Sequence, residues 1–318
     1  MLHDDELRVT AARARRLVAA QFPGWTGRAV TEAGADGTTN AIHRIGDDLV
    51  ARFPLRGTDP GEVRRRLVAE MSAGADFASH STVPAPEPVV LGEPGEGHPL
   101  PWSVWTWLPG DTAADRDPGA STGFARDLAG LVATLRTAHT GGRRFTGDGR
   151  GGDLRDHDDW MDTCFRSSAG LLDVPALRHW WVDHRDLPRA GDDVMTHGDL
   201  IPGNVLVRDG RLAGVLDTGG FGPADPGLEL VAAWHLLDDG PRAVFRDLLG
   251  CGDVEWDRGR AWAFEQAMGL VWYYRSSAPA LSRLGVRTLT RVTGRDVTPP
   301  GAGRRAAPPG RRSAAPGR

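Results

Sequence analysis

The chain has 318 residues, of which 40% are hydrophobic and 25% are charged. This is enough for one large domain or two modest ones, and it excludes collagen-like, coiled-coil and wholly disordered classes. All 38 basic residues are arginine, and the segment from residue 297 onward holds five of them and no acid. A net charge of −4 therefore leaves −9 on the rest of the chain. An acidic body disfavours nucleic acid and suits a cationic partner, although plain solubility explains it equally well.

Targeting and redox signals point to the cytoplasm. No run of about 18 apolar residues is present, so no membrane span is expected. The N-terminus is acidic and lacks the apolar stretch of a secretory signal. Only Cys164 and Cys251 occur, far apart, which supports neither a disulfide framework nor a cysteine metal site.

Strand patterns dominate the first part of the chain. Apolar spacing predicts a short helix over residues 7–21, and alternating side chains around a Gly-Asp-Asp turn at 46–48 predict a hairpin over 41–53. The spacing of Val63, Leu67 and Met71 predicts a helix over 62–77. A proline-rich loop at 84–88 then leads to an apolar strand over 103–108, which stops at Pro109-Gly110.

Helical patterns dominate the remainder, with helices predicted over 122–139, 156–169, 228–238 and 262–274. The Arg/Pro/Gly/Ala segment from 299 has no periodicity and predicts disorder. We therefore predict an α+β protein with an N-terminal lobe of residues 1–109, a C-terminal lobe of residues 110–294 and a disordered tail of residues 295–318.

Residues 194–230 hold the groups on which chemistry would depend. Apolar runs at 205–207 and 212–216 flank Asp209-Gly210, a strong hairpin turn signal. The open ends of an antiparallel hairpin lie together, and here they carry Asn204 and Asp217. A carboxamide and a carboxylate with open positions beside them can hold Mg²⁺ next to phosphates. Asp199, five residues before Asn204, could accept a proton from a hydroxyl that attacks phosphorus.

The run His197-Gly-Asp199-Leu-Ile-Pro-Gly-Asn204, followed after a short hairpin by Asp217, resembles the catalytic loop and metal-binding aspartate of the protein-kinase-like fold. Its His-Gly-Asp form with Pro-Gly-Asn is similar to the aminoglycoside phosphotransferase family. The resemblance runs over most of the chain, including segments 48–54, 102–110, 225–226, 256–262 and 273–274. It implies a small β-rich N-terminal lobe and a larger, mostly helical C-terminal lobe.

The resemblance also implies a role for each residue of this segment. Asp199 would orient or deprotonate the acceptor hydroxyl, and Asn204 and Asp217 would be the Mg²⁺ ligands. Asp225 would brace the catalytic loop without touching substrate. His197 would anchor the loop by a hydrogen bond and would not react.

The N-terminal lobe would bind ATP. A kinase-like lobe pairs a strand lysine with a helix glutamate to position the phosphates. Because the chain has no lysine, Arg52 takes the matching strand position and Glu70 the matching helix position. Arginine keeps the positive charge, although its fork differs in reach from an ammonium group.

Two further parts of the nucleotide site follow from the same resemblance. The glycine-rich turn at 33–40, with Gly37 and Thr38, would cover the phosphates, although such a turn also commonly does no more than connect two strands of a hairpin. Backbone groups of Trp107 and Leu108 would meet the adenine edge.

Acidic and aromatic residues of the C-terminal lobe are candidates for substrate binding. Asp158 and Asp162 are four residues apart on one helical face and could bind the ammonium groups of a polycationic sugar, but acids in a first helical turn also suit the helix dipole. Glu265 and Trp272 are similar candidates, although residues 262–274 are better explained by core packing.

Other chemistries fit less well. Asp217-Thr-Gly219 is the signature of an aspartic protease, but such an enzyme needs a second copy of the motif. The G-x-G-x-x-G letters at 147–152 are not preceded by a buried strand. A Walker A motif needs a lysine, and His197-x-Asp199 lacks a further histidine at ligand spacing.

We therefore expect a kinase-like enzyme that uses ATP and Mg²⁺ to phosphorylate a hydroxyl of a small, polar, cationic molecule, with an aminoglycoside antibiotic favoured. Alternatives are a kinase of a macrolide, a cationic peptide antibiotic, choline or homoserine, and an inactive nucleotide-binding regulator. The choice between ATP and GTP, the hydroxyl attacked and the choice between a monomer and a homodimer stay open. No nucleic-acid or membrane partner is expected.

Overall fold

The N-terminal part of the molecule is built on one antiparallel sheet. The computed structural model describes residues 7–33, 39–147 and 149–298. The sheet has the strand order β1-β2-β3-β5-β4. Its strands are β1 (Val30–Glu32), β2 (Asn40–Ile45), β3 (Leu49–Pro54), β4 (Pro88–Gly92) and β5 (Trp102–Thr106). The predicted hairpin and the strand before Pro109 are confirmed, whereas the short strands β1 and β4 were not predicted.

The β2–β3 hairpin decides which way Arg52 points. Gly46 closes the turn with a φ of 66°, a conformation that glycine adopts freely. Ala51 and Phe53 are fully buried, and Phe53 stacks on Trp102 with ring centroids 4.7 Å apart. Because successive strand residues face opposite sides of a sheet, Arg52 projects away from this core.

Helix α1 (Ala11–Gln21) begins later than predicted because a side chain caps it. The Thr10 hydroxyl oxygen accepts a hydrogen bond from the Arg13 backbone N–H at 3.3 Å. The preceding backbone is extended, and the Leu7 N–H donates to the Leu55 carbonyl.

Helix α2 (Pro60–His80) packs closely against the sheet. The Asp59 side chain accepts a hydrogen bond from the Gly61 N–H, and Pro60 occupies the first turn. Both residue types are common at these positions of a helix start. Gly74 faces the Trp105 ring so closely that a Cβ there would lie 2.5 Å from it. The helix is thereby held against β5.

The C-terminal part is mostly helical. Its helices are α3 (Thr122–Thr137), α4 (Asp158–Ser167), α5 (Val174–His184), α6 (Val231–Leu236), α7 (Asp239–Leu249), α8 (Asp253–Tyr273) and α9 (Pro279–Thr293). Helices α5, α7 and α9 were not predicted. Helix α8 runs through the centre of the core, with Trp262 and Phe264 fully buried, as core packing required.

Short strands connect the two parts and form the floor of the cleft. They are β6 (Asp111–Thr112), β7 (Val194–Thr196), β8 (Val205–Arg208), β9 (Arg211–Val215) and β10 (Gly222–Ala224). The predicted β8–β9 hairpin is confirmed: Asp209 and Gly210 have φ values of 51° and 69°, as the favoured two-residue hairpin turn requires. Strand β6 pairs with β8 directly after the chain leaves β5.

The architecture is α+β, as predicted. Residues 299–318, which make up most of the predicted tail, lie outside the described residues. None of the helices that the structure describes is both long and apolar enough to cross a membrane.

Candidate active site

The loop between β7 and β8 carries Asp199 and is anchored from two sides. The Asp199 backbone N–H donates to His197 Nδ1 at 3.2 Å, so the ring proton lies on Nε2, which donates to the Leu216 carbonyl at 2.8 Å. From the other side, the backbone N–H of Gly198 donates to Glu229 Oε1 at 2.9 Å. Both His197 and Glu229 are buried, so the shape of the loop depends on the protein interior.

Glu229, and not Asp225, therefore braces the catalytic loop. The Asp225 carboxylate accepts from Arg258 Nε at 2.6 Å and from the Gly227 N–H at 2.7 Å. Arg258 also donates to the Gly152 carbonyl at 3.1 Å. The prediction for Asp225 was wrong because a fully buried arginine of α8 takes its carboxylate. The pair holds the neighbouring loop at residues 151–152.

The hairpin brings Asn204 next to the residues that follow β9. The Leu216 N–H donates to the Asn204 carbonyl at 2.8 Å, which places Asp217 beside Asn204. The Asn204 Nδ2 donates to the Asp199 carbonyl at 3.0 Å and to its Oδ2 at 2.9 Å. Asp199, Asn204 and Asp217 thus meet at one place in the cleft.

Asp217 connects this cluster to the N-terminal sheet. Its backbone is left-handed, with a φ of 58°, and its half-exposed carboxylate accepts from Arg52 Nη2 at 2.6 Å. The surrounding protein desolvates the carboxylate and so raises its pKa. The charge and hydrogen bond of Arg52 outweigh this effect and, with His197, hold the pKa of Asp217 below its usual range. Asp217 is therefore an anion that a cation already contacts.

Glu70 lies next to the same cluster but is not the salt-bridge partner that the structure gives Arg52. Its carboxylate lies 3.5 Å from Arg66 on the next turn of α2. Burial raises the pKa of Glu70, against the charges of Arg52 and Arg66. Gly219 packs against Glu70, where a Cβ would lie 3.1 Å from that of the glutamate. Arg52 therefore forms its salt bridge with Asp217 and not with Glu70, because its side chain crosses the cleft.

The remaining nucleotide-site predictions have different outcomes. Gly37 and Thr38 lie outside the described residues. The Trp107 N–H donates to the Asp48 carbonyl at 2.8 Å, so it belongs to the sheet and is not open to adenine. The backbone groups that stay candidates for an adenine edge are the Trp107 carbonyl and the Leu108 N–H.

The acids of α4 have internal cationic partners. Asp158 accepts from Trp181 Nε1 at 2.8 Å and forms a salt bridge with Arg185, while Asp162 pairs with Arg178 at 2.5 Å. Burial raises the pKa of Asp158, but the hydrogen bonds from Arg185 and Trp181 outweigh it and lower the pKa. Both acids therefore connect α4 to α5, and the structure does not bring them into the Asp199 cluster.

Glu265, unlike these acids, is connected to Asp199 through Arg150. Its carboxylate is buried and is 2.9 Å from His157 Nδ1 and 4.0 Å from Arg150. Burial lowers the pKa of His157, and the hydrogen bond and charge of Glu265 raise it further than burial lowers it. Trp272, the last of the substrate candidates, packs with its ring centroid 5.9 Å from that of Trp160.

Two side chains that contact Asp199 were missed from the sequence. Arg150 Nη2 donates to Asp199 Oδ1 at 3.2 Å, and Gln266 Nε2 donates to the same oxygen. Arg150 lies in the glycine-rich segment 147–152, whose G-x-G-x-x-G letters do not follow a buried strand. Gln266 directly follows Glu265 in an otherwise apolar run, where polar residues signal buried hydrogen bonds. Glu229 stands in a similar run and had the same signal.

The β-rich part thus presents the guanidinium of Arg52 to Asp217, at the open end of the hairpin that begins after Asn204. The model of the phosphotransferase enzyme family matches residues 30–262, and the chain belongs to that family.

Curated relatives are matched over a short segment. An aminoglycoside 3'-phosphotransferase of Escherichia coli is 40% identical over 81 residues, which are 22% of this chain and 30% of the relative. A Salmonella typhimurium protein of the same name is 35% identical over 84 residues, which are 23% of this chain and 31% of the relative. The chain thus spans about a third of the length of these relatives.

Solved structures resemble nearly the whole molecule. The GDP complex of aminoglycoside 2'-phosphotransferase-IIIa has a TM-score of 0.65 at 16% identity, covering 90% of this chain and 99% of that one. A macrolide 2'-phosphotransferase from Brachybacterium faecium has a TM-score of 0.57 at 21% identity, covering 86% and 97%. These likenesses concern the fold, and the predicted two-lobed, kinase-like fold is confirmed.

Proposed function

We propose that the protein transfers the γ-phosphoryl group of ATP to a hydroxyl of a small antibiotic, in the first place an aminoglycoside. The observation that carries this proposal is the meeting of Asp199, Asn204 and Asp217 beside Arg52. The names of the relatives support the acceptor class. A cytoplasmic location and a monomeric or homodimeric state stay predictions.

Asp199 would hold the acceptor hydroxyl. A carboxylate offers about four acceptor positions. Arg150 and Gln266 donate to Oδ1 and Asn204 donates to Oδ2, which leaves a position on Oδ2 for the hydroxyl. The acceptor oxygen would form a bond to the γ-phosphorus while the bond between that phosphorus and the leaving oxygen of ADP breaks. The hydroxyl proton would pass to Asp199. The contribution of the protein is positioning and electrostatics.

Asn204 and Asp217 have the donor set that Mg²⁺ prefers. The Asn204 Nδ2 is directed at Asp199, so the atom left to ligate a cation is the Oδ1 oxygen. Asp217 adds an ionised carboxylate. Mg²⁺, when bound, would neutralise charge on the transferred phosphates. Arg52 would bind phosphate oxygens from the other side of the cleft, since a guanidinium can contact them with two donors.

The surroundings of Asp199 support a cationic acceptor. Arg150 already places a guanidinium between Asp199, at 3.2 Å, and Glu265, at 4.0 Å. The Glu265 Oε2 atom is buried without a hydrogen-bond partner in the described part of the chain. An ammonium group of an aminoglycoside would compete with Arg150 for these two carboxylates and would satisfy the open oxygen of Glu265.

A macrolide is the second candidate, and a different surface favours it. Trp160 and Tyr273 are 38% and 39% exposed, which is unusual for such large apolar side chains. Trp160 packs over Gly269 of α8, the helix that also carries Gln266 and Tyr273. Gln266 and Tyr273 are two helical turns apart on one face. The exposed aromatic surface therefore lies about 10 Å along α8 from Gln266, the residue that contacts Asp199, and would suit a large lactone ring.

The test is a transfer assay with Mg-ATP and Mg-GTP against aminoglycosides, a macrolide, a cationic peptide antibiotic, choline and homoserine, read by mass spectrometry as an added phosphoryl group. Asp199→Asn should lower turnover by about 10²–10⁴-fold while the nucleotide still binds. Asp217→Ala should abolish Mg²⁺-dependent nucleotide use. Retained turnover in Asp199→Asn would refute the assignment, and nucleotide binding without transfer to any acceptor would favour the regulator.

Arg150→Ala distinguishes the two acceptor classes. If an ammonium group displaces Arg150, the variant should lower the KM of an aminoglycoside, because the internal competitor is gone. If the guanidinium stays and assists a largely neutral acceptor, the KM should rise. Arg155→Ala, on the same surface but paired with Asp186, is the matched control and should leave the KM of either acceptor unchanged.

A further inference from the structure

A buried row of polar groups runs from α9 to the catalytic loop. Thr288 Oγ1 is 2.9 Å from His235 Nδ1, and His235 Nε2 is 3.0 Å from Gln266 Oε1. The Gln266 Nε2 in turn contacts Asp199 Oδ1. Thr288 and His235 are completely buried and Gln266 nearly so, on three different helices. The row therefore connects the far side of the helical core to the centre of the cleft.

The direction of every hydrogen bond in this row follows from the charge of Asp199. A carboxylate only accepts, so the Gln266 amide must turn its nitrogen toward Asp199 and its oxygen toward His235. That oxygen needs a donor, which places the imidazole proton on Nε2. His235 Nδ1 is then an acceptor, and the Thr288 hydroxyl must donate to it.

The imidazole is well suited to a fixed orienting role. Burial, and to a smaller extent the charges of Arg150, Arg291 and Arg287, lower the pKa of His235 to about 3, although the bond to Gln266 acts in the opposite direction. His235 is therefore neutral at any working pH and keeps a single tautomer. Without it, the buried Gln266 Oε1 would have no donor, and the amide could leave Asp199 to find one.

We propose that Gln266 is a positioning residue for Asp199 and that His235 and Thr288 lock its amide in the productive orientation; this rests on the proposed function. Arg150 is 30% exposed and is the donor that a cationic acceptor would displace. Gln266 and Asn204 then hold the carboxylate while the hydroxyl approaches. The orientation of Asp199 in the loaded enzyme is thus set from inside the helical core.

The first test is a series of core-filling variants in steady-state kinetics. Gln266→Met keeps the volume of the side chain and removes the N–H donor to Asp199. It should lower kcat about ten- to a hundredfold, which corresponds to the loss of one hydrogen bond to a charged group. The nucleotide KM should stay within twofold. His235→Leu should act in the same direction. His235→Gln restores a donor near the Nε2 position and should recover most of kcat, which a merely structural role would not produce.

Thr288→Val supplies a milder variant with a matched control. It removes the donor to His235 Nδ1, so that the imidazole is held less firmly, and should lower kcat about three- to tenfold. Thr290→Val removes a hydroxyl two residues away on the same helix, whose bond is to the Val286 carbonyl, and should leave kcat unchanged. Equal effects of the two changes, or a kcat of Gln266→Met within twofold of the parent protein, would overturn the proposal.

A second measurement separates this inference from the proposed function. In ¹⁵N spectra of the unliganded protein, the histidine signals lost in His235→Gln should show an Nε2-protonated, neutral ring from pH 5 to pH 8. Thr288→Val should keep this tautomer and shift the Nδ1 signal, because that nitrogen loses its donor. If no acceptor is phosphorylated, the proposed function fails, while these spectra still establish the row of hydrogen bonds from Thr288 to Asp199. A His235 that is protonated on Nδ1, or that titrates in this range, would overturn the inference even in an active enzyme.

Discussion

Glu229 offers the sharpest test of how the catalytic loop keeps its shape, because its Oε1 oxygen receives the backbone N–H of Gly198, the residue just before Asp199. In Glu229→Leu this N–H would be left without an acceptor inside the protein, at about 1–3 kcal/mol. The variant should therefore lose about 1–3 kcal/mol of stability. Glu229→Gln keeps an oxygen in the same place and should lose no more than about 1 kcal/mol.

The assay is urea unfolding of the parent protein and both variants, together with turnover of the best acceptor. Glu229→Leu, where it folds, should lower kcat at least tenfold, because Asp199 loses its fixed position, and Glu229→Gln should stay within tenfold of the parent. If Glu229→Leu and Glu229→Gln were equally stable, the loop would not depend on this acceptor oxygen and the reasoning would be refuted.

Three further predictions concern the N-terminal part. Burial, and to a smaller extent the charge of Arg13, lower the pKa of His98 from 6.5 to about 4, so acid favours the unfolded chain. His98→Leu should therefore remove about 2 kcal/mol of the stability that the parent protein loses between pH 8 and pH 5. Urea unfolding curves of the parent protein that coincide at the two pH values would contradict this. Arg52→Ala should raise the nucleotide KM about ten- to a hundredfold in steady-state kinetics, with an unchanged KM as the contrary result. Gly74→Ala should destabilise by about 1–3 kcal/mol in thermal unfolding, whereas Gly130→Ala, with open space around it, should not.

Local signals were sufficient where a short stretch of chain decides the geometry. The turn at Asp209-Gly210 sets the β8–β9 register by its own backbone preference, and the register brings Asn204 and Asp217 together. The spacing within one loop likewise places Asp199 beside Asn204. The centre of the site could therefore be predicted from some twenty consecutive residues.

Partners from distant elements could not be predicted. Asp158 and Asp162 look open on their own helix, and the arginines that neutralise them come from α5 and from Arg185 directly after it, a segment with no clear pattern in the sequence. The first turns of α8 mix charged residues with buried ones and show no apolar stripe, so its predicted start was nine residues late. The exchange of Asp225 for Glu229 has the same cause, since a buried arginine of α8 decided it.

Arg52 also determines how the cleft responds to chemical labelling. Reagents that mark the nucleotide sites of kinases by acylating a lysine need a nucleophilic amine beside the phosphates. This chain has no lysine side chain, and a guanidinium is a poor nucleophile toward acyl donors. A survey of nucleotide-binding proteins based on amine acylation would pass over it. A dicarbonyl reagent, which condenses with guanidinium groups, would instead report on the cleft, and bound nucleotide should protect Arg52 from it.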